Sequence, residues 1–173
     1  VIVDTSCANI SSLKFAVERL GFEATVTANT QVISAADKVF LPGVGSAAAA
    51  MQQIHSKGLF GCIRSLTQPV LGICLGMQLL TNRSEEANAE HSVDCLGVID
   101  TEVNAMQSST LRLSHMGWNQ VHPVKDSPLF HGIEDNSYFY FVHGFCVPKG
   151  DHTVATCDYT KAVSYTHLTL PTR

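Results

Sequence analysis

Charge is scarce in this sequence. Only 15% of its residues are Asp, Glu, Lys or Arg, the net charge is −4, and the 11 Lys and Arg residues are scattered rather than clustered. That removes the electrostatic footprint with which a protein holds nucleic acid or an anionic lipid surface, so neither is expected as a partner. Long hydrophobic runs are also absent: no apolar stretch approaches the roughly 18 residues that span a bilayer. The opening Val1-Ile2-Val3-Asp4 lacks the basic segment followed by an apolar one that marks a signal peptide, and the expected location is the cytoplasm. No two of the six cysteines stand in a CxxC spacing, which excludes the usual zinc and redox patterns; neither a metal site nor a cofactor is expected. In a reducing compartment these cysteines read as small buried hydrophobes rather than disulfide partners, Cys74 excepted.

What is present suits one globular domain: 173 residues, 45% of them hydrophobic. Val1 to Asp4 reads as a buried strand. Ile10, Leu13, Val17 and Leu20 recur at helical spacing, widened by Phe15 and Ala16, and Gly21 supplies the stop. Phe22 to Thr27 alternates like a strand, Lys38 to Leu41 is another apolar run, and Ser46 can cap an alanine-rich helix reaching about His55. Pro69 to Ile73 repeats the strand, and Met77, Leu79 and Leu80 follow on a helical spacing. Strands alternating with helices imply βαβ units in a parallel sheet with right-handed crossovers. Beyond Thr81 the texture changes: Asn82 to Ser92 reads as a polar loop, and Leu96 to Val103, Leu111 to Leu113, Tyr138 to Val142 and Thr153 to Thr156 read as strands with no long helix between them. The second half is therefore expected to be strand-rich, as an antiparallel extension of the sheet.

Gly72-Ile73-Cys74-Leu75-Gly76 has the layout of a nucleophile elbow, with Cys in place of Ser. The glycines permit a tight strand-to-helix turn, and a helix N-terminus is expected to lower the thiol pKa. The competing interpretation is a buried Cys in an ordinary glycine-bearing turn. Pro42-Gly43-Val44-Gly45 lies one βα unit earlier, where adjacent parallel strands would set its backbone N–H groups beside the elbow. Taken alone it reads as a plain βα loop.

The string Gly72 to Leu80, with Leu41 to Gly45 and Ser114-His115-Met116-Gly117-Trp118-Asn119, closely resembles the class I glutamine amidotransferases, and more narrowly the glutaminase subunits of imidazole glycerol phosphate synthase. Asp4 to Leu20 and Tyr140-Phe141-Val142-His143 also fit, and the resemblance runs through about residue 163. It implies a flavodoxin-like α/β fold with a central, mostly parallel sheet. It implies a reaction in which Cys74 attacks the side-chain amide of glutamine, giving a γ-glutamyl thioester and ammonia, with water then releasing glutamate. By the same match Gly43, Val44 and Leu75 form the oxyanion hole, while Gly45, Gln78 and Glu86 hold glutamine, Glu86 facing its α-amino group. The ammonia would pass to a barrel cyclase subunit in a heterodimer, which uses it to make imidazole glycerol phosphate and an aminoimidazole carboxamide ribotide. Asn9, Lys14 and Trp118 match that subunit interface. Residue by residue the plainer readings are a helix cap for Asn9, a solvated Lys14, a core Trp118, a surface Gln78 and a solvated acidic loop for Glu86. The alternatives are the glutaminase component of anthranilate or aminodeoxychorismate synthase, and a catalytically dead chain that only binds a barrel subunit.

The family's base and its orienting acid lie in a Phe-His-Pro-Glu string that this sequence lacks. Of its eight histidines only His122 precedes a proline, and Val124 follows it. His143 is the base that a motif-free reading selects, although it matches a different family position; His167 matches none. Gly144-Phe145 stands where relatives carry a hydroxyl residue and an aromatic. Residues 1–163 are expected to be amidotransferase domain, and the stretch from Ser164 to Arg173 a non-native tail in place of the segment bearing the base.

Overall fold

The computed structural model describes residues 1–86, 92–108 and 113–159. The expected strand–helix alternation is present. β1 (Ile2–Val3) leads to α1 (Ile10–Arg19), β2 (Val26–Thr27), α2 (Thr30–Ser34), β3 (Val39–Gly43), α3 (Ala47–Ser56), α4 (Leu59–Arg64), β4 (Val70–Cys74) and α5 (Leu75–Leu79). The strands pair in the order β2-β1-β3-β4, all parallel, which is the doubly wound arrangement that the alternation requires. Ile2, Val3, Val39 and Leu41 from the sheet pack with Ala50, Ile54, Leu59, Ile63 and Leu79 from the helices in one core.

Short polar caps fix where the helices start. The Asn9 side chain accepts from the Ser12 N–H at the head of α1, Asn29 does the same for α2, and Ser46 accepts from Ala49 N–H at the head of α3. Helix α1 departs from expectation in one respect: none of its residues is fully buried, and Phe15 and Leu20 face solvent. Its apolar stripe is only half covered by the sheet.

The second half carries β5 (Thr81–Ser84), β6 (Val93–Asp94), β7 (Ile99–Ala105), β8 (His115–Pro123), β9 (Ser137–His143), β10 (Phe145–Cys146) and β11 (Ala155–Thr156). One sheet runs β10-β7-β5-β6 and another β11-β8-β9. The antiparallel extension is real in β8–β9, where His115 faces His143 and Val121 faces Ser137, but β5 and β7 pair in parallel. The loop expected from Asn82 is strand up to Ser84: the polar residues there are held by ladder bonds to β6 and β7, which composition does not disclose. Residues 87–91 of that loop, Leu111 and Arg112 of the strand expected from Leu111 to Leu113, His167 and the expected tail from Ser164 lie outside the described residues. Among the described residues, no helix is long and apolar enough to cross a membrane.

Candidate active site

The elbow forms where the sequence places it. β4 ends on Cys74 and α5 begins at Leu75, with Cys74 as its N-cap at φ 53° and ψ −120°. A left-handed φ at a residue with a side chain costs of order 1–3 kcal/mol, so the surrounding packing must impose it. The flanking glycines show how. A Cβ on Gly76 would lie 1.7 Å from the Leu41 carbonyl oxygen, and one on Gly72 would lie 2.6 Å from the Cα of Met77. Only bare backbone lets α5 turn this sharply against β3, and that turn leaves Cys74 an exposed residue whose thiol is still partly shielded by the protein around it.

The Pro42–Gly45 loop is beside the elbow, as the adjacent strands predict. Gly43 pairs directly with Cys74 across the β3–β4 ladder. The expected oxyanion donors divide, however. The Leu75 N–H lies where it favours the Cys74 thiolate, whereas the Val44 N–H donates to the Cys7 carbonyl at 2.7 Å. Gly45 follows in a left-handed conformation at φ 93°, leading into the Ser46 cap of α3. In this geometry Leu75 is the donor at the nucleophile, and Val44 is not.

The lowered thiol pKa expected of Cys74 is not found. Loss of hydration beside the protein lifts it above the ordinary 9.0; the Leu75 N–H works against this, and the negative charge of Glu86 adds to it. α5 is a helix of five residues, too short for its dipole to outweigh desolvation.

Gln78 and Glu86, expected to bind substrate, do come together near Cys74. Gln78 lies one turn along α5 and is buried, not a surface residue. Glu86 is half-buried; burial raises its pKa, and a hydrogen-bonding contribution from the Gln78 side chain partly opposes this. Its Oε2 is buried without a partner. The backbone around it is fixed: its N–H donates to Ser84 Oγ at 3.1 Å, and its carbonyl accepts from Ala47 N–H at 3.1 Å. Ser84 also donates to Gln78 Oε1 at 3.2 Å. The sequence reading did not select Ser84; its place just before two glutamates was the available signal.

The base chosen without the family motif is elsewhere. His143 Nδ1 lies 2.9 Å from the Phe145 carbonyl and its Nε2 lies 3.1 Å from His115 Nδ1. The His115 ring stacks on Phe141 and Tyr159. A carbonyl accepts, so His143 carries its proton on Nδ1 and His115 donates into the bare His143 Nε2. Both rings are neutral structural members of the β8–β9 pair, and burial lowers both pKa values, that of His115 to about 4. Among the described residues, no histidine hydrogen-bonds to Cys74. His122 instead meets Asp135 at 3.4 Å on the surface.

The three residues matched to a subunit interface are dispersed. Asn9 caps α1, Lys14 pairs with Glu18 at 3.7 Å on the same helix, and Trp118 lies on β8 with 69% of its surface exposed. Trp118 is therefore not a core residue. It meets Tyr140 edge to face at 5.7 Å, and Met116, Tyr138 and Val142 continue the exposed apolar face of β8 and β9. A concavity of about 440 Å³ between Pro123 and Ile133 is lined by none of these groups.

The glutamine amidotransferase class-I family matches residues 1–171. The chain is 52% identical over 166 residues to imidazole glycerol phosphate synthase subunit HisH of Vibrio cholerae, covering 95% of this chain and 82% of that one. Against the Escherichia coli subunit HisH it is 54% identical over 159 residues, covering 92% of this chain and 80% of the relative. A crystal structure of a glutamine amidotransferase superposes with a TM-score of 0.67 at 15% identity, covering 97% of this chain and 89% of that one, which supports the fold alone. The chain belongs to the class-I glutamine amidotransferases, among the HisH subunits.

Proposed function

We propose that this chain is the glutaminase subunit of imidazole glycerol phosphate synthase, acting in histidine biosynthesis on glutamine and delivering ammonia to a barrel cyclase subunit. The observation that carries the reading is the grouping of an elbow cysteine with the Leu75 N–H, Gln78 and Glu86 in a chain about half identical to HisH subunits. The Cys74 thiol gives up its proton as the sulfur attacks the glutamine side-chain carbonyl, the Leu75 N–H stabilises the oxyanion, and collapse breaks the C–N bond, with that proton going to the leaving nitrogen to release ammonia. Water then cleaves the thioester to glutamate. The unpartnered Glu86 Oε2 suits the α-ammonium group of glutamine, since a buried carboxylate oxygen without a donor is costly until a cation meets it.

Trp118 and Tyr140 supply the centre of the cyclase-binding face. Exposed aromatic pairs of this kind anchor protein interfaces. Titration with the cyclase subunit of imidazole glycerol phosphate synthase tests the reading. A 1:1 complex is expected, weakened by about 2 kcal/mol or more in Trp118→Ala. No complex with that subunit, or a complex with the synthase subunit of the anthranilate enzyme instead, would overturn it.

A further inference from the structure

Ser84 is completely buried at the end of β5, between β6 and β7, with Val93 opposite it on one side and Val103 on the other. Its hydroxyl is used twice. The oxygen accepts from the Glu86 N–H at 3.1 Å, and its single proton is then directed at Gln78 Oε1, 3.2 Å away. That second bond favours the Gln78 orientation in which the carbonyl oxygen faces Ser84. A primary amide can rotate by half a turn with little change in shape, exchanging a carbonyl oxygen for an NH₂ group. With Oε1 held by Ser84, the NH₂ end is the one left for the Glu86 carboxylate, in agreement with the stabilising influence of Gln78 on the charged form of Glu86. Without the hydroxyl, the Gln78 carbonyl could face the carboxylate, and the Glu86 N–H would lose its buried acceptor.

The far ends of this arrangement are equally fixed. Gln78 is held from below by Thr81, whose Oγ1 donates to the Gln78 carbonyl at 2.7 Å, and the Glu86 carbonyl accepts from the first amide of α3. Among the described residues, the Glu86 Oε2 is buried and has no partner.

We propose that Ser84 is a positioning residue for recognition of the substrate ammonium group: by fixing the Gln78 amide and the Glu86 backbone, it holds the Glu86 carboxylate ready for a cationic α-amino group. The proposal rests on the glutamine-site reading given above. Ser84 touches no reacting atom. Its effect is selective for substrates that carry the ammonium group, and that separates it from a residue needed only for folding.

The test compares two chloroketones of glutamine shape, one with the α-amino group and one without, on Cys74 of the whole chain. In both, the thiolate forms a C–S bond as chloride leaves, and adduct formation is followed by intact mass. The unsubstituted chain should react faster with the ammonium-bearing compound. Ser84→Ala should cut that preference, the ratio of the two rates, about tenfold. Ser84→Cys, nearly the same size but a poor donor, should do the same and covers the case in which the alanine variant does not fold. If both serine variants keep the original preference, the role of Ser84 is wrong while the glutamine-site reading stands. If the unsubstituted chain shows no preference at all, the glutamine-site reading fails and this proposal falls with it.

Discussion

Glu86 lies close enough to Cys74 for its negative charge to hold the thiol in its protonated form, and it adds to a larger effect of burial in the same direction. The site is therefore not one in which the nucleophile is ionised by its surroundings at neutral pH. Alkylation of Cys74 by iodoacetamide should rise with pH and reach half its maximum above 9.0, the ordinary thiol value. Glu86→Gln removes the repelling charge and should move that midpoint down, with burial keeping part of the elevation. A midpoint below 9.0 in the unsubstituted chain would contradict this reading.

Gly76→Ala should be among the most damaging single-methyl additions available. Its Cβ would fall 1.7 Å from the Leu41 carbonyl oxygen, a backbone atom in a central strand that cannot move aside cheaply. A loss of about 3 kcal/mol or more is expected in urea unfolding. Gly61→Ala, where a Cβ would meet nothing within 4 Å, serves as the control and should change stability by less than about 1 kcal/mol.

The His115–His143 pair gives an acid-sensitive contribution to stability. The unfolded-chain pKa of His115 is near 6.5 and its folded value is about 4, so the unfolded state binds more protons between those limits. The contribution is complete above pH 6.5 and is lost as pH falls toward 4. His143, also lowered, acts with the same sign. Between pH 7 and pH 5 the His115 contribution should cost about 1–2 kcal/mol. His115→Gln should show a smaller drop over that interval; equal drops in variant and parent would refute the assignment.

Much of this was legible in the sequence because it depends on local rules. Ser46 and Asn9 can act as caps from their own side chains, and the elbow glycines signal a close approach within a few residues. What was not legible depends on partners far away along the chain. Ser84 joined Gln78 through strand pairing of residues that look like polar loop. The Val44 N–H meets the Cys7 carbonyl, thirty-seven positions earlier, a partner that its own loop does not disclose. The thiol pKa of Cys74 went the other way because burial and Glu86 outweighed a one-turn helix. His143, the base suggested by its place after a strand, was claimed by His115 on the neighbouring one.

The central claim is that Cys74 stands in a glutamine site, and the most direct measurement is its labelling by a glutamine chloroketone with and without glutamine present. The account predicts one adduct per chain, located on Cys74 by peptide mass and slowed by glutamine, although six cysteines are available. Labelling spread over several cysteines, or labelling of Cys74 that glutamine leaves unchanged, would contradict it.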